Sequence, residues 1–304
     1  MLTFDHYLTP TTLDEAFDVL DRNPGARILA GATDLLPWAR EGRAGDVHLS
    51  AVVDISRITQ LSGWAMQGQD RITMGAATPI ADFEHDAQLR KQVPILAECA
   101  VWFADDQLRQ QATVGGNLVN ASPAGDTQPA LLAMNTHVTL ARREMGKILE
   151  RTLPLSEFIL GPSKTLLQPG EIMTRLEMDA LPTYGVTFKK VGDRRSMLIS
   201  NVCMATMVRV DAAKRKIEDV RVAIGAVGPT PERLGDIEDL LIGAEPTAAL
   251  LRRVAGGVAD RVRSRTRRTY RREVLCNFVE RSLVVALGHA GLVVIRQPKE
   301  IGHV

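Results

Sequence analysis

The chain has 304 residues, of which 45% are apolar and 24% charged, and 37 Lys and Arg against 36 Asp and Glu leave a net charge of +1. That composition fits a globular protein and argues against collagen, coiled coil and wholesale disorder. The balanced charge supplies no general field for a polyanion, so nucleic acid is not expected as a partner.

No apolar run approaches the roughly 18 residues of a membrane-spanning helix. The opening residues carry neither a basic head nor an apolar stretch, so the expected location is the cytoplasm, with no membrane. Cys99, Cys203 and Cys276 lie far apart, and the six histidines are equally scattered. Neither a disulfide framework nor a metal site is expected, and three isolated thiols cannot supply the four ligands of an iron–sulfur cluster.

The predicted elements begin with a small α/β unit: a strand at Phe4–Leu8, a helix opened by the capping box Thr12-Leu-Asp-Glu15, and a strand at Arg27–Ala30. This last strand runs into Gly31-Ala-Thr-Asp34, where Asp34 can cap a helix over Leu35–Arg40, and a further strand follows at His48–Ile55. Then come a strand at Arg71–Gly75, a helix from Thr78-Pro79 through Leu89, and a second helix over Pro94–Ala104. Residues Thr113–Asp126 read as a long loop of Gly, Asn, Ser and Pro. A helix (Pro129–Met134), a strand (His137–Ala141), a helical turn (Pro154–Ile159) and a strand (Glu171–Met178) complete this half.

Leu181-Pro-Thr-Tyr-Gly185 reads as a linker. Three β-rich runs follow, Val186–Val191, Val202–Val210 and Ile217–Ile224, the last two joined by a hairpin loop, and then helices at Leu234–Leu241 and Thr247–Val258 and a long one ending near Gly288. The seven arginines between Arg261 and Arg272 suit a solvated helix face or a subunit contact better than a nucleic-acid patch, since Tyr270 is the only interleaved aromatic.

Two loops point to chemistry. Leu29-Ala-Gly-Ala-Thr-Asp-Leu-Leu36 joins a strand to a helix, where small residues admit a ligand and free N–H groups favour an anion. Taken alone, it is also an ordinary strand-to-helix turn. The second, Thr113-Val-Gly-Gly-Asn-Leu-Val-Asn-Ala-Ser-Pro-Ala-Gly-Asp126, is expected to expose consecutive amides at Gly115-Gly116. Two anion-binding loops suggest a ligand with two phosphates. The dinucleotide fingerprint GxGxxG is absent, which disfavours a Rossmann fold.

These two loops, with Trp102-Phe-Ala104, Gly170-Glu-Ile-Met173, Phe188-Lys-Lys-Val191 and Gly225-Ala-Val-Gly-Pro-Thr-Pro231, resemble the FAD-binding flavoprotein subunit of the molybdenum hydroxylases, the xanthine dehydrogenase and molybdenum carbon monoxide dehydrogenase family. The resemblance covers nearly the whole chain. It implies an α+β fold with a vanillyl-alcohol-oxidase-like (PCMH-type) FAD-binding domain over residues 1–179, in subdomains of about 1–56 and 57–179, and a small antiparallel α+β domain over 180–304. It further implies that Ala30, Gly31, Ala32, Thr33, Asp34 and Leu35 form the first diphosphate loop. Thr113, Gly115, Gly116 and Asn117 would bind the diphosphate and ribityl region, and Phe103 would lie near the flavin ring. Asp126 would accept a hydrogen bond from the cofactor, Met173 would pack on the adenosine or ring edge, and Lys189 would sit at the isoalloxazine.

Each has a structural alternative: Phe103 and Met173 as core, Asp126 as a helix cap, and Lys189 exchanging its inward place with Lys190. Ala32 stands where the family has a second glycine, and its methyl group is expected to require a negative φ.

Neither loop offers an acid–base group for direct substrate oxidation or a residue for covalent attachment, which suits electron relay through noncovalent FAD. The resemblance places molybdopterin on a large subunit and iron–sulfur clusters on a small subunit, in a dimer of heterotrimers with NAD+, O2 or another acceptor. A self-contained flavin oxidoreductase and a non-catalytic nucleotide-binding module are the competing readings. The segment from Met197 to Val202 is a loose candidate for covering the flavin face.

Overall fold

The computed structural model describes residues 2–40, 47–194, 198–213 and 215–294. Met197 lies outside them, so the segment starting there is described only from Leu198.

The first unit holds β1 (Leu2–Leu8), α1 (Leu13–Arg22), β2 (Arg27–Leu29), α2 (Leu35–Arg40) and β3 (Val47–Asp54), with a parallel sheet in the order β1-β3-β2. The capping box forms: Thr12 Oγ1 accepts from the Glu15 amide at 3.1 Å. Glu15 reaches back to the amide and hydroxyl of Thr11, one residue earlier than the usual reciprocal bond. Ala16 and Phe17 of α1 pack on Val53, Ile58 and Leu61.

The second unit contains β4 (Trp64–Gln67), β5 (Arg71–Gly75), α3 (Asp82–His85), α4 (Ala87–Gln92), α5 (Pro94–Trp102), α6 (Asp106–Gln111), α7 (Val114–Asn120) and α8 (Thr127–Ala133). It continues with β6 (His137–Glu144), β7 (Lys147–Pro154), α9 (Leu155–Phe158), β8 (Ile159–Gly161), β9 (Lys164–Thr165) and β10 (Ile172–Asp179). Its main sheet is antiparallel in the order β4-β5-β10-β6-β7.

Three sequence expectations need correction here. The helix expected from Thr78 through Leu89 is broken at Asp86, whose carboxylate caps α4 at the Gln88 and Leu89 amides and also accepts from the Trp64 indole. Thr78 instead ties its hydroxyl to the Gly63 backbone. The stretch 113–126, expected as a loop, contains the helix α7, with Thr113 as N-cap. Asp126 precedes α8 without a side-chain capping bond, because its carboxylate is used elsewhere.

The last unit is β11 (Gly185–Val191), β12 (Val202–Asp211), β13 (Lys216–Gly225), β14 (Glu232–Arg233), α10 (Gly235–Leu241), α11 (Ala248–Gly256) and α12 (Arg268–His289). The four strands form an antiparallel sheet in chain order. Strand alternation divides β12 cleanly. Cys203, Ala205 and Met207 join the core of α5 and α8, whereas Val202, Met204 and Val208 face Leu275, Val279 and Leu283 of α12. Leu181 and Tyr184 are buried, so the segment read as a linker is packed. No helix among the described residues is long and apolar enough to cross a membrane.

Candidate functional site

The two loops picked out in the sequence meet. Gly31 rides on the main chain of Gln111 and Ala112, so closely that a Cβ there would overlap the Gln111 carbonyl. This approach brings Ala30, Gly31, Ala32, Thr33, Asp34 and Leu35 into the wall of one cavity with Phe103, Thr113, Gly116 and Asn117. Trp38, Val119 and Asn120 also line it. Adjoining cavities share these walls on either side. The three measure about 140, 460 and 520 Å3 and form a trough from Phe4 and Tyr7 at one end to Phe103 and Asp126 at the other.

The first loop leaves backbone donors free. Ala32 takes φ +55°, which corrects the expected negative value. The loop must turn sharply between β2 and α2, and the alanine methyl tolerates the left-handed region at a cost of about 1–2 kcal/mol. Among the described residues, the amides of Ala32, Thr33 and Asp34 have no acceptor, while those of Leu36 and Trp38 bond to the carbonyls of Ala32 and Asp34. A left-handed residue in such a run turns successive N–H groups toward a common point, the geometry of a phosphate nest. The Asp34 carboxylate does not cap α2; it accepts from Asn120 Nδ2 at 3.0 Å, and burial pushes its pKa up.

The second loop works differently from expectation. The Gly115 amide donates to the Ala76 carbonyl at 2.8 Å and the Gly116 amide to Thr113 Oγ1 at 3.1 Å. The first bond docks α7 and the second caps it, so neither amide is free. Gly115 is required by close packing, since a Cβ would lie 2.7 Å from that of Ala76. What α7 presents to the trough is the side of Gly116, Asn117, Val119 and Asn120. Asn117 Oδ1 is fixed by the Thr127 hydroxyl at 2.6 Å.

At the far end, Asp126 lies in the cavity wall with both carboxylate oxygens engaged. Lys190 Nζ donates to Oδ2 at 2.5 Å and Ser200 Oγ to Oδ1 at 2.7 Å. Burial pushes the Asp126 carboxyl up, with Lys190 and Ser200 pulling the other way. Cys99 donates to the Asp126 carbonyl, and burial raises the thiols of Cys99 and Cys203 well above their usual value.

Gly115, Met173 and Lys189 stand outside the lining of the trough. Met173 is buried in the core of the five-stranded sheet, and Lys189 is half-buried on the strand face opposite Lys190. Lys190 shares its face of β11 with Val186 and Phe188, and that parity was readable from the sequence. Asn120, Trp38 and Ser200 carry no comparable signal. The residues present fit an elongated dinucleotide: backbone donors at the middle, apolar and aromatic walls toward both ends.

Comparison with known proteins agrees. Residues 2–179 match the family described as the FAD binding domain in molybdopterin dehydrogenase, and residues 187–285 match the CO dehydrogenase flavoprotein C-terminal domain. The chain is thus an FAD-binding oxidoreductase component with the PCMH-type fold, and it belongs to the flavoprotein subunits of the molybdenum hydroxylase family. It is 27% identical over 274 residues to the glyceraldehyde dehydrogenase medium chain of Sulfolobus acidocaldarius, covering 88% of this chain and 93% of that one. It is 27% identical to a xanthine dehydrogenase FAD-binding subunit of Escherichia coli, covering 96% and 99%. A solved carbon monoxide dehydrogenase from Hydrogenophaga pseudoflava superposes with a TM-score of 0.84 at 26% identity, covering 93% and 97%.

Proposed function

We propose that this chain holds one FAD noncovalently along the trough and relays electrons through it. Electrons would arrive from iron–sulfur clusters on a small subunit, themselves reduced by a molybdopterin-binding large subunit that hydroxylates an N-heterocycle, an aldehyde or CO. They would leave for NAD+, O2 or a quinone-linked carrier, the whole being a dimer of heterotrimers. The observation that carries this reading is the row of acceptor-free amides at Ala32–Asp34, facing Gly116 and Asn117 across one trough. In the same reading the diphosphate lies at that row and at Thr113, Gly116 and Asn117, with the isoalloxazine toward Phe103 and Asp126 and the domain boundary at residue 179. The relatives support it, being named as medium chains or FAD-binding subunits of dehydrogenases.

FAD supplies the electron-carrying ring. The chain's part is to bind the diphosphate by backbone donors and to hold the ring's surroundings fixed through the Lys190–Asp126 pair. Acid precipitation of the purified complex tests the binding mode. One FAD per chain should appear in the supernatant; colour retained in the pellet would contradict it.

A further inference from the structure

Helix α5 ends at Trp102 with no basic residue in its own last turn. The last carbonyls of a helix have no intrahelical partner and take donors from elsewhere. Two cations supply them here. Lys190 donates to the Trp102 carbonyl at 3.0 Å, and Arg109 Nη1 donates to the next one, that of Phe103, at 2.8 Å. The same Arg109 nitrogen reaches the Ala100 carbonyl at 3.3 Å, which also accepts the Phe103 amide at 2.9 Å. Main-chain groups on both sides of Phe103 are therefore held, and the chain turns just after it, with Ala104 at φ +43°.

Arg109 is itself fixed. Its side chain is only 10% exposed, and it pairs with Asp106 of its own helix and with Glu84 of α3 at 3.4 Å. The planar fork of a guanidinium serves carboxylates and carbonyls at once, which an ammonium on a flexible stem does not. Helix α6, which carries Arg109, ends at Gln111, on whose carbonyl Gly31 rides. One guanidinium thus joins the turn that presents Phe103 to the shelf beneath the first loop. Phe103 walls two of the three cavities of the trough, whereas Arg109 lines none of them.

We propose that Arg109 is a positioning residue for the flavin: it sets Phe103 against the isoalloxazine end of the trough without touching the cofactor. The proposal rests on the FAD reading above and deepens it. The alternative is an arginine that only braces the fold.

The test uses the assembled complex, stripped of flavin and titrated with FAD, in the parent, Arg109→Lys, Phe103→Ala and the double variant. Arg109→Met would leave Glu84 unpaired in a half-buried place, so Arg109→Lys, which keeps the charge and loses the fork, is the variant of choice. The visible circular dichroism of bound flavin reports how the ring is surrounded. Arg109→Lys should shift it in the same sense as Phe103→Ala and should raise the dissociation constant of FAD about tenfold, the worth of one charge-assisted hydrogen bond. The double variant should bind no more weakly than Phe103→Ala alone, since residues acting through one contact are not additive. A bracing role would lower the melting temperature, leave the flavin dichroism as in the parent and let the two losses add; either of the last two results would overturn the proposal. Failure of Arg109→Lys to assemble would also overturn it, by giving the arginine a role in folding. A parent complex that takes up no FAD would overturn the FAD reading and this proposal together, whereas a flavin-bearing parent with an unchanged Arg109→Lys overturns this proposal alone.

Discussion

Lys190 and Asp126 form an ion pair, 2.5 Å between Nζ and Oδ2, buried between strand β11 and the turn that enters α8. Lys190 also donates to the Trp102 carbonyl at 3.0 Å, immediately before Phe103. One ammonium group thus ties together the end of α5, the turn carrying Ala124 and Gly125, and the third sheet. The residues just past α5, Phe103 and Ala104, and the turn, with Ala124, Gly125 and Asp126, wall the trough at its Phe103 end.

Removing one member of a buried pair leaves the other uncompensated, at a cost of about 3–5 kcal/mol. Lys190→Met should therefore destabilise the chain strongly and lower its flavin content. Lys189→Met, on the half-buried opposite face, should stay within about 0.5 kcal/mol of the parent. Urea denaturation compares the two; equal losses would contradict the assignment of Lys190 as the inward lysine.

Burial raises the Asp34 pKa, so the native state binds this proton more tightly than the unfolded chain does. Stability from that group is full at low pH and declines as pH rises through the folded pKa. Asp34→Asn removes the penalty while keeping an acceptor for Asn120. The variant should melt above the parent at neutral pH, and the gap should close at about pH 3. A parent that melts higher at neutral pH would count against the sign.

Ala32 and Gly31 respond in opposite directions. Ala32→Gly relieves a left-handed alanine and should stabilise by about 0.5–1 kcal/mol. Gly31→Ala drives a methyl group into the Gln111 carbonyl, prising the two loops apart, and should lose most of the FAD. Full flavin occupancy in Gly31→Ala would show that the contact between the loops does not shape the site.

The arginine run divides in the same way. Arg271 satisfies buried carbonyls from three segments, so Arg271→Leu should cost about 3 kcal/mol or more. Arg268→Ala, at an exposed position, should fall within about 0.5 kcal/mol. Thermal melts of the two variants check the contrast.

Much of this was legible in the sequence because local rules and tertiary packing agree. Thr12 and Glu15 announce α1, and the alternation of β12 and β13 announces an antiparallel sheet. On β11 the sequence expectation is Lys189 as the inward lysine, whereas the parity of Phe188 selects Lys190, the one the structure buries. What escaped was decided by contacts distant in sequence. Gly115-Gly116 resembles an amide nest, yet its amides are taken by Ala76 and Thr113, and only the folded chain shows that α7 docks there. Asp126 has the look of a cap until Lys190, 64 residues on, claims its carboxylate. Arg271 is indistinguishable from its neighbours in a basic run; burial against Asn201 and Ala226 sets it apart.

The most direct test of the relay is anaerobic bleaching of the flavin by the complex's own substrate, followed in parallel for the assembled complex and for the isolated FAD-loaded chain. Rapid bleaching is expected in the complex and none in the isolated chain. Bleaching of the isolated chain at the rate of the complex would contradict it, because the flavin would then take electrons from the substrate directly.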